Sequence, residues 1–492
     1  MFRPAGFAAA REHSPRALLA LACVASAVVG YLPSAAHART TIWTEERVLA
    51  QLRTGPFVER SITIEGPLDF RPLKVVAHPF ICIDCHFTDS LVASDTIFQR
   101  AFEVSGAQIF GPVRMDRASF RGPAAFGFPP GDRKTVFVDQ ADFTLASFAG
   151  LVTFEAATFV GPADFTLARF ENDAIFAHGM FVSSASFPRT SFAAVADFRE
   201  TQFQHRSRFE QAEFKSVADF SQARFGGEAN FTRARFAARG TFFGANFTRV
   251  AKQGFSARFN HAAGANELDF ASTKFAGRLG FRGAKAPAIS FADADFFARR
   301  QAVLDEASAA DFVMDVSTVD DAVQPEDRRH VLRLVEASAK SRNELTVANH
   351  AHYDLEVLTS NGYWWPWRVL DRVFYRWIAG YFVRPLRPLI ALVALVAIFA
   401  LLRALLPQGR RPAWRRLVAQ RWRLRDLRAA AHRFVTEFLN GLAAVGRRSG
   451  GAPAPPLVQR LEVFTYRVLL VCALLGLANS NPTLRQMFDA LV

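Results

Sequence analysis

Two stretches of the 492-residue chain carry side chains at spacings that could do chemistry. The first, "FICIDCHF" at residues 80–87, holds Cys82 and Cys85 in a C-x-x-C pattern that suits a redox pair, half of a zinc site or, in an exported chain, a local disulfide. No second C-x-x-C and no well-spaced histidine pair completes a zinc set. The second, "HAHYDLE", holds His350, His352, Asp354 and Glu356. On a helix His350 and Asp354 share a face, which would suit a metal or an acid–base pair, and a solvated helix face accounts for the same spacing. Gly-rich phosphate loops, G-x-S-x-G and H-E-x-x-H are absent. The expectation is a protein with no catalytic, cofactor-binding or metal-binding residues, and a possible disulfide between Cys82 and Cys85.

The elements around these residues are set by another residue type. Phenylalanine occurs 50 times against 6 Tyr and 7 Trp. From Phe137 to Phe247, 21 Phe follow one another at alternating gaps of six and five. At about 100° per residue, such gaps throw successive rings onto different sides of a helix, so no apolar stripe forms. A continuous strand alternates sides with period two, so a five-residue gap would turn every second ring outward. A chain that turns a corner between rings fits both gaps. The residue two before each Phe is small, as at Ala141, Ala146, Ala157 and Ala163, so each side offers one large and one small inward position. Between them stand polar residues such as Asp142, Asp164, Asp197, Asp219, Asn230 and Asn246, expected to face water.

The A-[DN]-F-x-x pattern resembles the pentapeptide-repeat proteins, in the Phe-centred variety whose units alternate five and six residues. The resemblance covers about residues 60–298. It implies a mainly β chain built as a right-handed, four-sided parallel β-helix of about 22 residues per coil. The expected core ladder is Phe143, Phe148, Phe154, Phe159, Phe165, Phe170, Phe176, Phe181, Phe187, Phe192, Phe198, Phe203, Phe209, Phe214, Phe220, Phe225, Phe231 and Phe236. Upstream the frame continues through Cys82, Phe87, Phe98, Val104, Ile109, Met115, Phe120 and Phe126, with slips near residues 127–134 and after Phe247. About ten coils and a rod of order 50 Å follow, at about 4.8 Å per coil. "TEERVLAQLRTG", 44–55, predicts a capping helix with Thr44 at the N-cap and Gly55 as the stop. One branch of the family mimics DNA to bind topoisomerase, which needs a strongly acidic rod. Residues 61–300 hold 27 Lys/Arg and 24 Asp/Glu, which excludes that role.

Flanking segments point to a membrane. Residues 1–38 read as an export signal: three arginines, the apolar run 17–29, then "SAAHA" with cleavage expected after Ala38. After a capping segment (39–59) and the β-helix (60–298) comes a helical hairpin or connector (299–362), with Pro325 expected in a first turn. Residues 363–385 carry an aromatic belt of Trp364, Trp365, Trp367, Tyr375, Trp377 and Tyr381, of the kind that lies at a bilayer surface. Residues 386–406 have the length and apolarity of a transmembrane helix. Residues 461–492 are expected to form a second, shorter transmembrane helix, which carries Arg467, and a tail.

The net charge of +14 is concentrated between these segments: residues 407–460 hold 12 Arg against Asp426 and Glu437. A cytoplasmic basic loop and an exported β-helix obey the positive-inside rule together. The order of these segments resembles the membrane module of some exported pentapeptide-repeat proteins. The expected partners are therefore the lipid bilayer and an unidentified protein, with a homo-oligomer possible and no nucleic acid. The sequence thus reads as an inner-membrane scaffold with its β-helix on the periplasmic side. The alternative is an oligomeric channel or transport component, although "GYFVRP" lacks the TVGYG form of a potassium filter. A basic zone from Arg233 to Lys285 is expected to be a solvated face, or one that meets lipid head groups or an anionic partner.

Overall fold

A computed structural model describes residues 41–127, 134–248, 254–297, 299–373, 376, 386–405, 435–436 and 464–474, with the side chains of 370 and 399–405 excepted. The expected export signal, most of the basic segment, and Tyr375, Trp377 and Tyr381 lie outside the described residues. The chain forms two compact units divided after Arg328.

The first unit is a parallel β-solenoid with four faces, which we number I to IV in chain order. Face I runs from Phe57–Arg60 to Asp311–Val313 and face II from Ile42–Thr44 to Asp295–Phe296, with twelve strands each. Face III, Leu68–Asp69 to Ala302–Val303, has eleven, and face IV, Val75–Val76 to Ala263–Gly264, has nine. Successive coils pair in parallel at a 22-residue offset, as in Ala141 with Ala163 and Phe148 with Phe170. The stack is longer than the ten coils expected over 60–298, because strands continue at both ends where the ring-bearing frame is diluted.

Rings of equivalent coils stack face to face in four files. Phe176, Phe198 and Phe220 follow at 4.7 Å on face I, and Phe187, Phe209 and Phe231 at 4.8 and 4.6 Å on face III. These two central files meet edge to face, as at Phe187 and Phe198, 5.5 Å apart at 88°. Both arrangements suit the ring quadrupole. All eighteen ladder residues expected from the sequence are buried, and so are the alanines two before them.

The uneven beat has a backbone cause. Leu145, Ala156, Leu167, His178, Arg189, Glu200, Gln211, Gln222 and Arg233 recur every eleven residues with φ of 53° to 60°. Each sits in a five-residue link, where a turn closes through a bond such as the Ala146 amide to the Phe143 carbonyl, 3.0 Å. These links join face I to II and face III to IV. Six-residue links make the other two corners. The Asp and Asn residues expected simply to face water do more: Oδ1 of Asp142, Asp164, Asp219 and Asn230 accepts the amide two residues on, at 2.8–3.0 Å, and so braces the turn. Asp197 does the same to Arg199 and is itself buried.

Near the N-terminus large and small residues exchange places on face I. Phe57, Phe80 and Phe102 occupy the small position, in register with Ala124, Val152 and Ala174. Two residues on, Cys82 and Val104 take the large one. The volume per coil is kept, which suits a close-packed core.

Helix α1, Glu45–Thr54, covers this end with Val48, Leu49 and Leu52 buried. Thr44 stands at its N-cap with extended backbone but makes no side-chain cap bond, and Gly55 ends it in extended rather than left-handed conformation. Helix α2, Val316–Ala322, follows the last strand and buries Val316, Val319 and Ala322.

In the second unit α3, Arg328–Ser341, and α4, Leu345–Ser360, form the expected hairpin. Pro325 lies in the turn before α3, so it does not open a helical first turn. A short helix α5, Trp365–Leu370, precedes α6, Leu386–Leu405. Among the described residues no helix is long and apolar enough to cross a membrane. The expected span at 386–406 is thus seen as a helix, and the crossing is not shown.

Candidate interaction surface

Cys82 and Cys85 are both buried and joined by a disulfide, S–S 2.11 Å, with Cα atoms 5.7 Å apart. It closes a very short loop, which restrains little of the unfolded chain. Cys82 fills the large inward position of face I, and Cys85 is buried just before the face II strand His86–Phe87.

His350 is exposed and stands apart from His352. His352 reaches across the hairpin, its Nδ1 lying 3.1 Å from Oε1 of Glu336, which also accepts Lys340 at 2.6 Å. The bonds from His352 and Lys340 hold the Glu336 carboxyl down to about 2, and the bond to Glu336 raises the His352 pKa. This is an ion pair that ties α3 to α4. Among the described residues no three His, Cys, Asp or Glu side chains gather as a metal site. His178 and His205 face outward at exposed positions, as their frame requires.

The outward positions of the solenoid carry the remaining chemistry. On faces I and III opposite charges meet. Arg199 contacts Asp197 at 2.6 Å, Arg239 contacts Asp269 at 2.7 Å and Glu267 at 3.1 Å, and Arg258 contacts Glu228 at 2.9 Å. On face III the ring of Phe255 lies between the guanidinium groups of Arg258 and Arg278, at 4.6 and 4.5 Å. Gly280 makes that possible, since a Cβ there would stand 2.9 Å from the ring. This clamp pins the chain where the ring frame resumes after its second slip.

Face IV differs. A groove of about 870 Å³ runs along it and along the III–IV corner. The corner supplies Leu145, Leu167, Arg189, Gln211, Arg233 and His261. The strands supply Arg169, Ser191, Glu213, Arg235 and Ala263, with Lys215 beyond them. Five cations face one carboxylate, and that carboxylate is engaged: Glu213 accepts Arg235 at 3.0 Å. The Arg189 guanidinium donates to the neutral Gln211, at 2.9 Å, and meets no carboxylate among the described residues. The groove overlaps the N-terminal end of the basic zone expected from Arg233 to Lys285 and reaches four coils further up. Sequence spacing alone could not show it, because its residues are 22 apart and lie at outward positions free of packing constraint.

A four-sided parallel solenoid with a ring-filled interior and an 11-residue corner period is the architecture of a repeat protein. Residues 198–246 match the family model of the pentapeptide repeats, in nine copies. No curated protein and no solved structure matches the chain.

In the second unit Trp364, Trp365 and Trp367 are 69, 68 and 64% exposed. Leu392 and Val396 of α6 pack against Tyr466 and Leu469 of the helical residues 464–474.

Proposed function

We propose that the protein is a membrane-anchored scaffold whose solenoid stands on the extracytoplasmic side as a rigid docking surface, without catalytic activity. The observation that carries the reading is the set of four files of stacked rings. They make a shaft whose outward positions can vary freely while its shape cannot. Three exposed Trp residues that precede an apolar helix in the chain, and the pairing of that helix with residues 464–474, support the anchor. The arginine-rich 407–460 segment between the two apolar stretches supports their orientation.

Fusions test the topology. A reporter active only in the periplasm is expected to be silent after residue 440 and active after residue 327. Activity at 440 would overturn the orientation, and silence at both positions would overturn export.

A further inference from the structure

The groove on face IV has a pitch that selects its ligand, and we infer that it binds an extended acidic segment of a polypeptide. The inference rests on the scaffold reading and names the partner's chemistry. Along the corner, Leu145, Arg189 and Arg233 are each 44 residues apart, hence two coils. Two coils advance about 9.6 Å, and one three-residue turn of an extended polyproline II chain advances about 9.3 Å and returns to the same side. A segment in that conformation with an apolar residue at i and carboxylates at i+3 and i+6 turns all three side chains to one side and meets Leu145, Arg189 and Arg233 in turn.

Both arginines and Leu145 are exposed, and neither arginine has a carboxylate partner within the groove. Ser191 and Gln211 lie between them and offer hydrogen bonds to the intervening backbone. An anionic bilayer presents head groups at no fixed pitch. It gains from any basic patch, so neither the two-coil spacing nor the apolar end of the groove would serve it.

The test uses the full-length chain in detergent and two fluorescein-labelled peptides of equal composition. One is Leu-Ser-Ser-Glu-Ser-Ser-Glu-Ser-Ser; the other, Leu-Ser-Glu-Ser-Glu-Ser-Ser-Ser-Ser, brings the carboxylates two residues apart. The first is expected to bind at least about threefold tighter, and binding should weaken as salt rises. Arg189→Glu with Arg233→Glu should weaken it at least about tenfold. Those corners already accept such side chains, since Glu200 and Gln211 occupy equivalent left-handed positions. An unchanged melting temperature confirms the fold, and Arg189→Gln with Arg233→Gln serves if the reversal lowers it.

No binding by the native chain, equal affinity for the two peptides, or indifference to the double substitution overturns the inference. So does displacement of the peptide by phosphatidylglycerol vesicles with the same arginine dependence, which would assign the groove to lipid. In cells, a photo-cross-linker at Ser191 is expected to capture a protein that the double substitution releases. Capture from Val160 on face II but never from Ser191 would leave the scaffold reading standing and remove the groove from it.

Discussion

Glu336 and His352 show how one pair of side chains can make a helical hairpin sensitive to pH. The Glu336 carboxyl is held at about 2 against an ordinary 4.5, so its stabilising effect is complete above 4.5 and is lost as pH falls toward 2. The His352 imidazole is raised from 6.5, so its contribution is complete below 6.5 and is lost as pH rises through the raised value. The α3–α4 hairpin is therefore expected to be firmest between about pH 4.5 and 6.5 and to loosen on either side. Amide exchange of residues 328–360, corrected for intrinsic rates, reads this out. Glu336→Gln should flatten the profile on both limbs, because it removes the charge that both shifts depend on. A profile unchanged by that substitution would mean that other groups set it.

At the scale of the element, the left-handed corner residue decides the link length. Leu, Ala, His, Arg, Glu and Gln all occupy that corner with positive φ, at a cost of about 1–2 kcal/mol for each side chain relative to glycine. The surrounding stack imposes the conformation. Gln211→Gly is therefore expected to leave the melting temperature unchanged or to raise it. Gln211→Val should lower it by several degrees, since a β-branched side chain fits this region worst. Equal effects of the two would show that the corner is not strained.

The beat of five and six made these corners legible from Phe137 to Phe247, because each ring has only one inward slot. Legibility failed where that one-to-one relation breaks. Phe57, Phe80 and Phe102 hold the small slot, so the frame near the N-terminus looks irregular although the volume is conserved. The bracing bonds of Asp142 and Asp164 were also hidden, since a residue's type tells that it is polar and not which amide it meets. Face IV was the least readable, being an alignment of residues distant in sequence.

The whole solenoid is a one-dimensional stack in which each coil touches only its neighbours, so its stability is a chain of local terms. Phe198 stacks on Phe176 and Phe220 and meets Phe187 and Phe209 edge to face, so one residue joins rings of three successive coils. Phe198→Ala should cost about 3–5 kcal/mol, the range for deleting a buried ring. A carboxylate at the same place adds desolvation of a charge with no partner. Phe198→Asp with Phe220→Asp puts two such charges side by side in one file, where they also repel. Coupling between adjacent sites makes this pair more damaging than Phe154→Asp with Phe242→Asp, which lie four coils apart. The adjacent pair should break the shaft at a single place, leaving two shorter stacks with exposed, uncapped ends that aggregate or are cut by protease near residues 198–220. A far-ultraviolet melting curve and the pattern of limited proteolysis distinguish the two variants. If the adjacent pair melts like the native chain, the rings do not hold the coils together.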